Sequence, residues 1–253
     1  MTDLVKISDA DGVRGIRMNR PDKKNALNSE MYSAMAQAIA SANMERDIRC
    51  LLIAGVPGAF CAGNDLKEFQ EMAKTGGGLE GPVIGFLHAL ASCEKPIVAA
   101  VQGVAVGIGT TMLLHCDYAV CGADAKFSTP FVGLGLVPEA ASSLLAPRLM
   151  GHRKAFALLV MGQPLDPQAA KECGLINAIA APSDVDTLAL KAALDIAKLP
   201  PEAVSASRRL MRGEQDDIMA RIDEEADYFR ERLRSSEAKA AFDAFFNRKK
   251  GGL

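Results

Sequence analysis

Neither sign of charge dominates this chain: 29 Lys and Arg stand against 31 Asp and Glu, a formal net charge of −2. That excludes nucleic-acid binding driven by a global positive field, and no lysine-rich helical face stands out. No apolar run reaches membrane-spanning length before Gly, Lys or Asp interrupts it. The opening residues, Met1-Thr2-Asp3-Leu4-Val5-Lys6, lack the charged-then-apolar pattern of a secretory signal. The expectation is a cytoplasmic protein with no membrane and no nucleic-acid partner. The six cysteines (Cys50, Cys61, Cys93, Cys116, Cys121, Cys173) include no CxxC pair, and no histidine lies at ligand spacing from two of them. They read as small buried hydrophobes, and no metal is expected. His88, His115 and His152 are equally isolated, so no Ser-His-Asp or Cys-His arrangement is indicated.

What the chain does have is apolar bulk. With 49% hydrophobic residues over 253 positions it can bury a sizeable core as one large domain, or one domain with an appendage. Leu4–Ser8 and Val13–Asn19 read as strands, and Asn28 or Ser29 caps a helix running to about Arg46. Arg49–Gly55 and Ile97–Gln102 are continuous apolar runs of the kind found in buried parallel strands. A loop, Val56–Gly63, precedes a short helix from Asp65, and Thr75–Gly78 is a glycine-rich break. Further helices are predicted over Pro82–Cys93, Gly107–His115, Pro138–Met150 and His152–Met161, and from Asp166 to Cys173; strands over Tyr118–Cys121 and Ile176–Ala180. From Val185 onward the pattern is helical, broken at Pro200-Pro201. Alternating strands and helices define an α/β body over residues 1–199, with a strand–strand–helix unit that recurs. Residues 200–253 form a charged helical region whose Phe242, Phe245 and Phe246 lie at helical spacing. That face packs on its own core or makes subunit contacts. The final Asn247-Arg248-Lys249-Lys250 is a solvated tail or reaches a phosphate.

Three glycine-punctuated segments are the places where chemistry is expected. Gly58-Ala59-Phe60-Cys61-Ala62-Gly63-Asn64-Asp65-Leu66 and Gly103-Val104-Ala105-Val106-Gly107-Ile108-Gly109-Thr110-Thr111 each follow a buried strand and open a helix. Small residues admit a ligand close to the backbone, and N–H groups at a helix start point outward. The second segment is not a dinucleotide fingerprint, since its glycines run GxxxGxG. The third segment, Phe127 to Ala140, places a single acid, Glu139, after a long apolar run. A carboxylate in apolar surroundings is costly to ionise, so its pKa rises towards the range useful for proton transfer. A position just after Pro138, in a first helical turn, opposes that rise through the helix dipole. Glu139 is either a helix-start residue or an acid–base group. Two strand-to-helix turns with exposed amides can build an oxyanion hole, and one nearby acid can move a proton beside the carbonyl.

The residues also carry a resemblance. Asn19-Arg20-Pro21, Asn25-Ala26-Leu27, Ala59 to Leu66, Lys95 to Gly103, Cys116-Asp117 and Ala125-Lys126-Phe127, in that order, resemble the crotonase superfamily of enoyl-CoA hydratases and isomerases. The resemblance spans essentially the whole chain. It implies a crotonase-like spiral of repeated β-β-α units with a C-terminal helical region that supports a homotrimer or hexamer. It implies an acyl-CoA substrate and no cofactor, with the oxyanion-hole amides at Asn64 and Ile108. The CoA moiety is expected past Lys24 to Ala26 and Ala62 to Leu66, Asp65 included, with Lys249 or Lys250 near a phosphate.

The departures from that pattern narrow the activity. The two glutamates by which hydratases activate water fall at Thr111 and Phe131 here, and neither Thr nor Phe is a base near neutral pH. Thr129-Pro130-Phe131 followed by Pro138-Glu139-Ala140-Ala141-Ser142-Ser143 instead resembles the peroxisomal-type 3,2-enoyl-CoA isomerases. The implied reaction is a single-base shift of a double bond from 3-enoyl-CoA to 2-enoyl-CoA. Glu139 moves the proton, and Phe131 and Thr111 line a dry pocket. The rival readings are a hydratase using Glu139 and a repositioned water, an isomerase of ring-derived CoA esters, and a catalytically silent acyl-CoA-binding protein.

Overall fold

The computed structural model describes residues 2–74, 81–213 and 215–250. The Thr75–Gly78 break and the side chains of Lys249 and Lys250 lie outside the described residues.

The chain opens with an antiparallel hairpin, β1 (Val5–Ala10) and β2 (Val13–Met18), followed by α1 (Ser29–Met44). Asn28 caps α1, its side-chain oxygen accepting from the Met31 N–H. Strand pairs then recur: β3 (Cys50–Ala54) with β4 (Ala59–Cys61), β5 (Ile97–Val101) with β6 (Val104–Val106), and β7 (Tyr118–Gly122) with β8 (Lys126–Ser128). The first member of each pair joins a six-stranded sheet ordered β1-β2-β3-β5-β7-β9, where β9 is Ala178–Ala180. The second member joins a three-stranded parallel sheet ordered β4-β6-β8. One repeat thus adds one strand to each layer, which is how a strand–strand–helix unit winds into a spiral. Every residue of β3 and β5 is buried, which explains their unbroken apolar runs.

Helices fill the turns of the spiral: α2 (Leu66–Lys74) and α3 (Pro82–Ser92) after β4, and the one-turn α4 (Ile108–Thr111), continued by a 3-10 turn to His115, after β6. Beyond β8 come α5 (Ser142–Met150), α6 (His152–Leu159), α7 (Pro167–Glu172), α8 (Val185–Ala197), α9 (Pro201–Arg212), α10 (Gln215–Leu233) and α11 (Ser236–Lys250). Asp166 caps α7 as expected, accepting from the Ala169 N–H. Helix α10 buries Ile218, Ile222, Ala226, Phe229 and Leu233, and Phe229 meets Phe69 edge-on at 5.9 Å. Its apolar face therefore packs on the chain's own core.

Three expectations need correction. The Val56–Gly63 loop contains β4, and the second sheet as a whole is missing from the sequence reading. Its strands are three residues long, too short to show a period. The helix expected from Pro138 starts only at Ser142, because Ala140 and Ala141 adopt left-handed φ of 64° and 52°. Glu139 therefore precedes the helix and is not in its first turn.

Candidate active site

The carboxyl ends of β4, β6 and β8 lie side by side along the small sheet, and each leads into one of the three segments singled out above. After β4 comes the turn Ala62–Asp65. Leu27 pairs with Asn64 in a parallel bridge: the Leu27 N–H donates to the Gly63 carbonyl at 2.8 Å, and the Asp65 N–H to the Leu27 carbonyl at 2.8 Å. In a parallel bridge the central residue's own N–H points away from the partner strand, so the Asn64 amide is left over. After β6, Gly107 takes φ 55° and ψ −120°, open only to glycine, and reverses the chain into α4. Ile108 is then the first helical residue, whose N–H has no intrahelical acceptor. Among the described residues neither amide has a hydrogen-bond partner. The two turns touch. A Cβ on Gly109 would lie 2.5 Å from the Cys61 carbonyl oxygen, and one on Gly63 would lie 3.1 Å from that of Val106. Glycine at 109 is what lets α4 seat directly on β4.

The side chain of Asn64 is fixed from α1. The fully buried Tyr32 hydroxyl donates to Asn64 Oδ1, and the Tyr32 ring packs on Phe86 at 5.4 Å. Sequence reasoning missed Tyr32, because a tyrosine among Met31, Met35 and Ile39 reads as core.

Glu139 is completely buried. Its Oε1 accepts from the Thr111 hydroxyl, on the last residue of α4, at 2.8 Å; its Oε2 has no partner among the described residues. Burial pushes its pKa from 4.5 up to about 8, the Thr111 hydrogen bond opposes the rise, and the nearby Glu225 carboxylate adds to it. Thr111 Oγ1 also lies 3.3 Å from the Gly107 carbonyl. A hydroxyl has one proton, so Thr111 gives it to Glu139 when the acid is ionised. When Glu139 is protonated it donates to Thr111, which turns its own proton to Gly107. Both protonation states are therefore hydrogen-bonded. Tyr32 feels the charge of Glu139 as well, which ties the acid to the Asn64 turn.

Phe131, 5% exposed, packs beside the same turn: its ring edge lies 3.9 Å from where a Gly107 Cβ would be. Asn64, Ile108, Thr111, Phe131 and Glu139 thus converge. Of the other expected residues, Lys24 and Ala26 lie against the Ala62 turn, with the Ala62 N–H on the Lys24 carbonyl at 2.9 Å. The buried Asn25 stitches them there, donating to the Ala59 and Phe60 carbonyls. The carboxylate of Asp65 is engaged with Arg20 at 2.8 Å and with the Lys67 N–H, and its backbone N–H and carbonyl are taken up by Leu27 and Phe69. Cys61 is driven up to about 12 by burial and is no nucleophile. Among the described residues no group of three His, Cys, Asp or Glu side chains could hold a metal ion. None of the described helices is long and apolar enough to cross a membrane.

Two neighbouring parallel strand ends with spare amides thus lie near one buried carboxylate, and comparisons with known proteins give the family in which this arrangement occurs here. Residues 8–252 match the family model described as enoyl-CoA hydratase/isomerase, and the chain belongs to that family, within the crotonase superfamily. It is 30% identical over 244 residues to 1,2-epoxyphenylacetyl-CoA isomerase of Escherichia coli (strain K12), covering 92% of each chain. It is 33% identical over 253 residues to enoyl-CoA delta isomerase 2 of Rattus norvegicus, covering 97% of this chain and 64% of that protein. Among solved structures, OdaA of Pseudomonas aeruginosa superposes with a TM-score of 0.93 at 42% identity, over 98% of this chain and 100% of that one. The expected family and α/β spiral are both borne out.

Proposed function

We propose that this enzyme is an acyl-CoA isomerase that shifts a double bond from 3-enoyl-CoA to 2-enoyl-CoA with Glu139 as its single acid–base group. The observation that carries this reading is the fully buried Glu139, its second oxygen without a partner among the described residues, at a site where positions 111 and 131 carry Thr and Phe and not acids. The thioester oxygen is held by the Asn64 and Ile108 N–H groups, which stabilise the charge that builds up as the dienolate forms. The Glu139 carboxylate takes a proton from the carbon next to the carbonyl and returns it two carbons further on. One carboxylate suffices because it ends the cycle as it began. Phe131 keeps the pocket dry; the other buried acid nearby, Glu225, is held by the Ser143 N–H, and no carboxylate stands at position 111 or 131 to activate water for addition. The CoA portion runs along the Lys24–Ala26 and Ala62–Leu66 turns. Assembly as a homotrimer or hexamer is supported by α9, which has no buried residue and exposes Leu210 and Met211.

A second reading, isomerisation of ring-derived CoA esters, is supported by the similarity to the E. coli epoxyphenylacetyl-CoA isomerase. The experiment is a spectrophotometric assay with 3-enoyl-CoA, following the conjugated 2-enoyl thioester, alongside ring-derived esters and 2-enoyl-CoA hydration. Turnover of 3-enoyl-CoA that Glu139→Gln abolishes is the expected result. A Glu139→Gln variant with wild-type isomerase activity would overturn the mechanism.

A further inference from the structure

The turn that carries Glu139 is strained, and it is held from several sides. Ala140 and Ala141 have φ of 64° and 52°, a left-handed conformation that costs a residue with a Cβ about 1–2 kcal/mol. Such a turn persists only where its surroundings over-determine it. The Ser142 N–H donates to the Glu139 carbonyl at 3.1 Å. His115, kept neutral by burial, donates its Nε2–H to the Ala140 carbonyl at 2.8 Å. The third hold comes from α10: Glu225 Oε1 accepts from the Ser143 N–H at 2.9 Å, and Arg221 on the same helix donates to Ser143 Oγ at 3.2 Å.

Glu225 is only 5% exposed, and its Oε2 has no hydrogen-bond partner among the described residues. Ser142 Oγ and Glu139 Oε2 are in the same condition. Two buried carboxylates and a buried hydroxyl therefore flank a single turn. A residue needed only for packing here would be apolar like its neighbours Ile222 and Phe229, since an under-satisfied buried acid is destabilising.

We propose that Glu225 is a positioning residue for the isomerisation: from α10 it clamps the turn that aims Glu139 at the reacting carbons and sets that carboxylate's charge environment. This rests on the isomerase reading of Glu139. Glu225 does not touch substrate and acts through the Ser143 amide. The polar groups around Glu139 are Thr111 from α4, Tyr32 from α1, Cys61 from β4 and Glu225 itself. Those around Glu225 are Ser143, the Ala141 N–H and Arg221.

The test compares Glu225→Ala with Glu225→Gln. Alanine frees the turn, and a misplacement of about 1 Å is worth up to ~100-fold in rate, so kcat is expected to fall 10- to 100-fold with KM within about threefold. Glutamine still accepts from Ser143 and is expected to restore kcat to within about threefold. Without the like charge, its rate profile should lose activity only at lower pH than wild type. A folded Glu225→Ala variant with wild-type kcat, or a glutamine variant as impaired as alanine, overturns the proposal. Isotope-edited infrared titration of Glu139, assigned by its disappearance in Glu139→Gln, needs no turnover. A downward shift in Glu225→Gln supports the proposal and an unchanged titration overturns it, even if alanine unfolds the protein. Wild-type protein inactive on 3-enoyl-CoA sinks the isomerase reading and the positioning role with it, whereas an active wild type with an unimpaired Glu225→Ala sinks the positioning role alone; the infrared titration separately decides whether Glu225 sets the charge around Glu139.

Discussion

Glu139→Gln should cost the enzyme its activity and make the fold more stable, increasingly so as the pH rises. The wild-type acid keeps its proton to about pH 8 when folded and releases it near 4.5 when unfolded. Between those values the folded chain binds more protons, so the stability of wild type falls as the pH climbs from the unfolded value through the folded one. At about 1.4 kcal/mol per pH unit, the interval from 4.5 to about 8 amounts to about 5 kcal/mol. Glutamine accepts the same Thr111 hydrogen bond and carries no charge, so this loss is absent in the variant. Glu225 and the other buried titratable groups are common to both proteins and cancel in the difference to first order. The assay is urea unfolding at fixed protein concentration from pH 5 to 9. It should be followed by far-ultraviolet circular dichroism, because the chain has no tryptophan to report. The variant-minus-wild-type difference should grow by several kcal/mol across that range. A difference that stays flat would mean that Glu139 ionises as an ordinary surface acid, and the acid–base reading would lose its physical basis.

Wild-type kcat/KM should rise with pH and level off above about 8, because the proposed base is the ionised form of Glu139. Thr111→Val removes a hydrogen bond to that carboxylate, a bond to a charged group worth about 1.5–3 kcal/mol; the acidic limb of the pH–rate profile should move up by about 1–2 pH units, while Thr111→Ser leaves it in place. Tyr32→Phe keeps the ring on Phe86 but frees Asn64. Steady-state kinetics should show kcat lowered about tenfold or more with KM little changed, since displacing the proposed oxyanion donor would act on the transition state. Gly109→Ala drives a methyl to 2.5 Å from the Cys61 carbonyl; thermal unfolding should show about 1–3 kcal/mol of destabilisation, and turnover should collapse as α4 lifts from β4.

The residues proposed to bear the chemistry were legible where their structural signal is local. Gly107 and Gly109 mark a turn and a close approach, and a lone acid after an apolar run marks Glu139. The second sheet was not legible, because strands of three residues are stabilised by their neighbours and carry no pattern of their own. The left-handed pair Ala140-Ala141 was hidden for a related reason: alanine is the best helix former, and only the tertiary holds on the turn keep it out of the helix. Glu225 is the instructive case. Its region is heavily charged, so an acid there reads as part of a solvated face. Yet Ile218, Ile222, Phe229 and Leu233 form one buried stripe, and position 225, three residues after Ile222 and four before Phe229, falls on it. An acid on the apolar stripe of a helix has to meet a donor in the core, and the donor it meets is the amide that ends the Glu139 turn. Helix α10 is therefore continuous, in physical terms, with the proposed acid–base site. A cut between residues 199 and 200 would separate Glu139 from one of the groups that hold its turn.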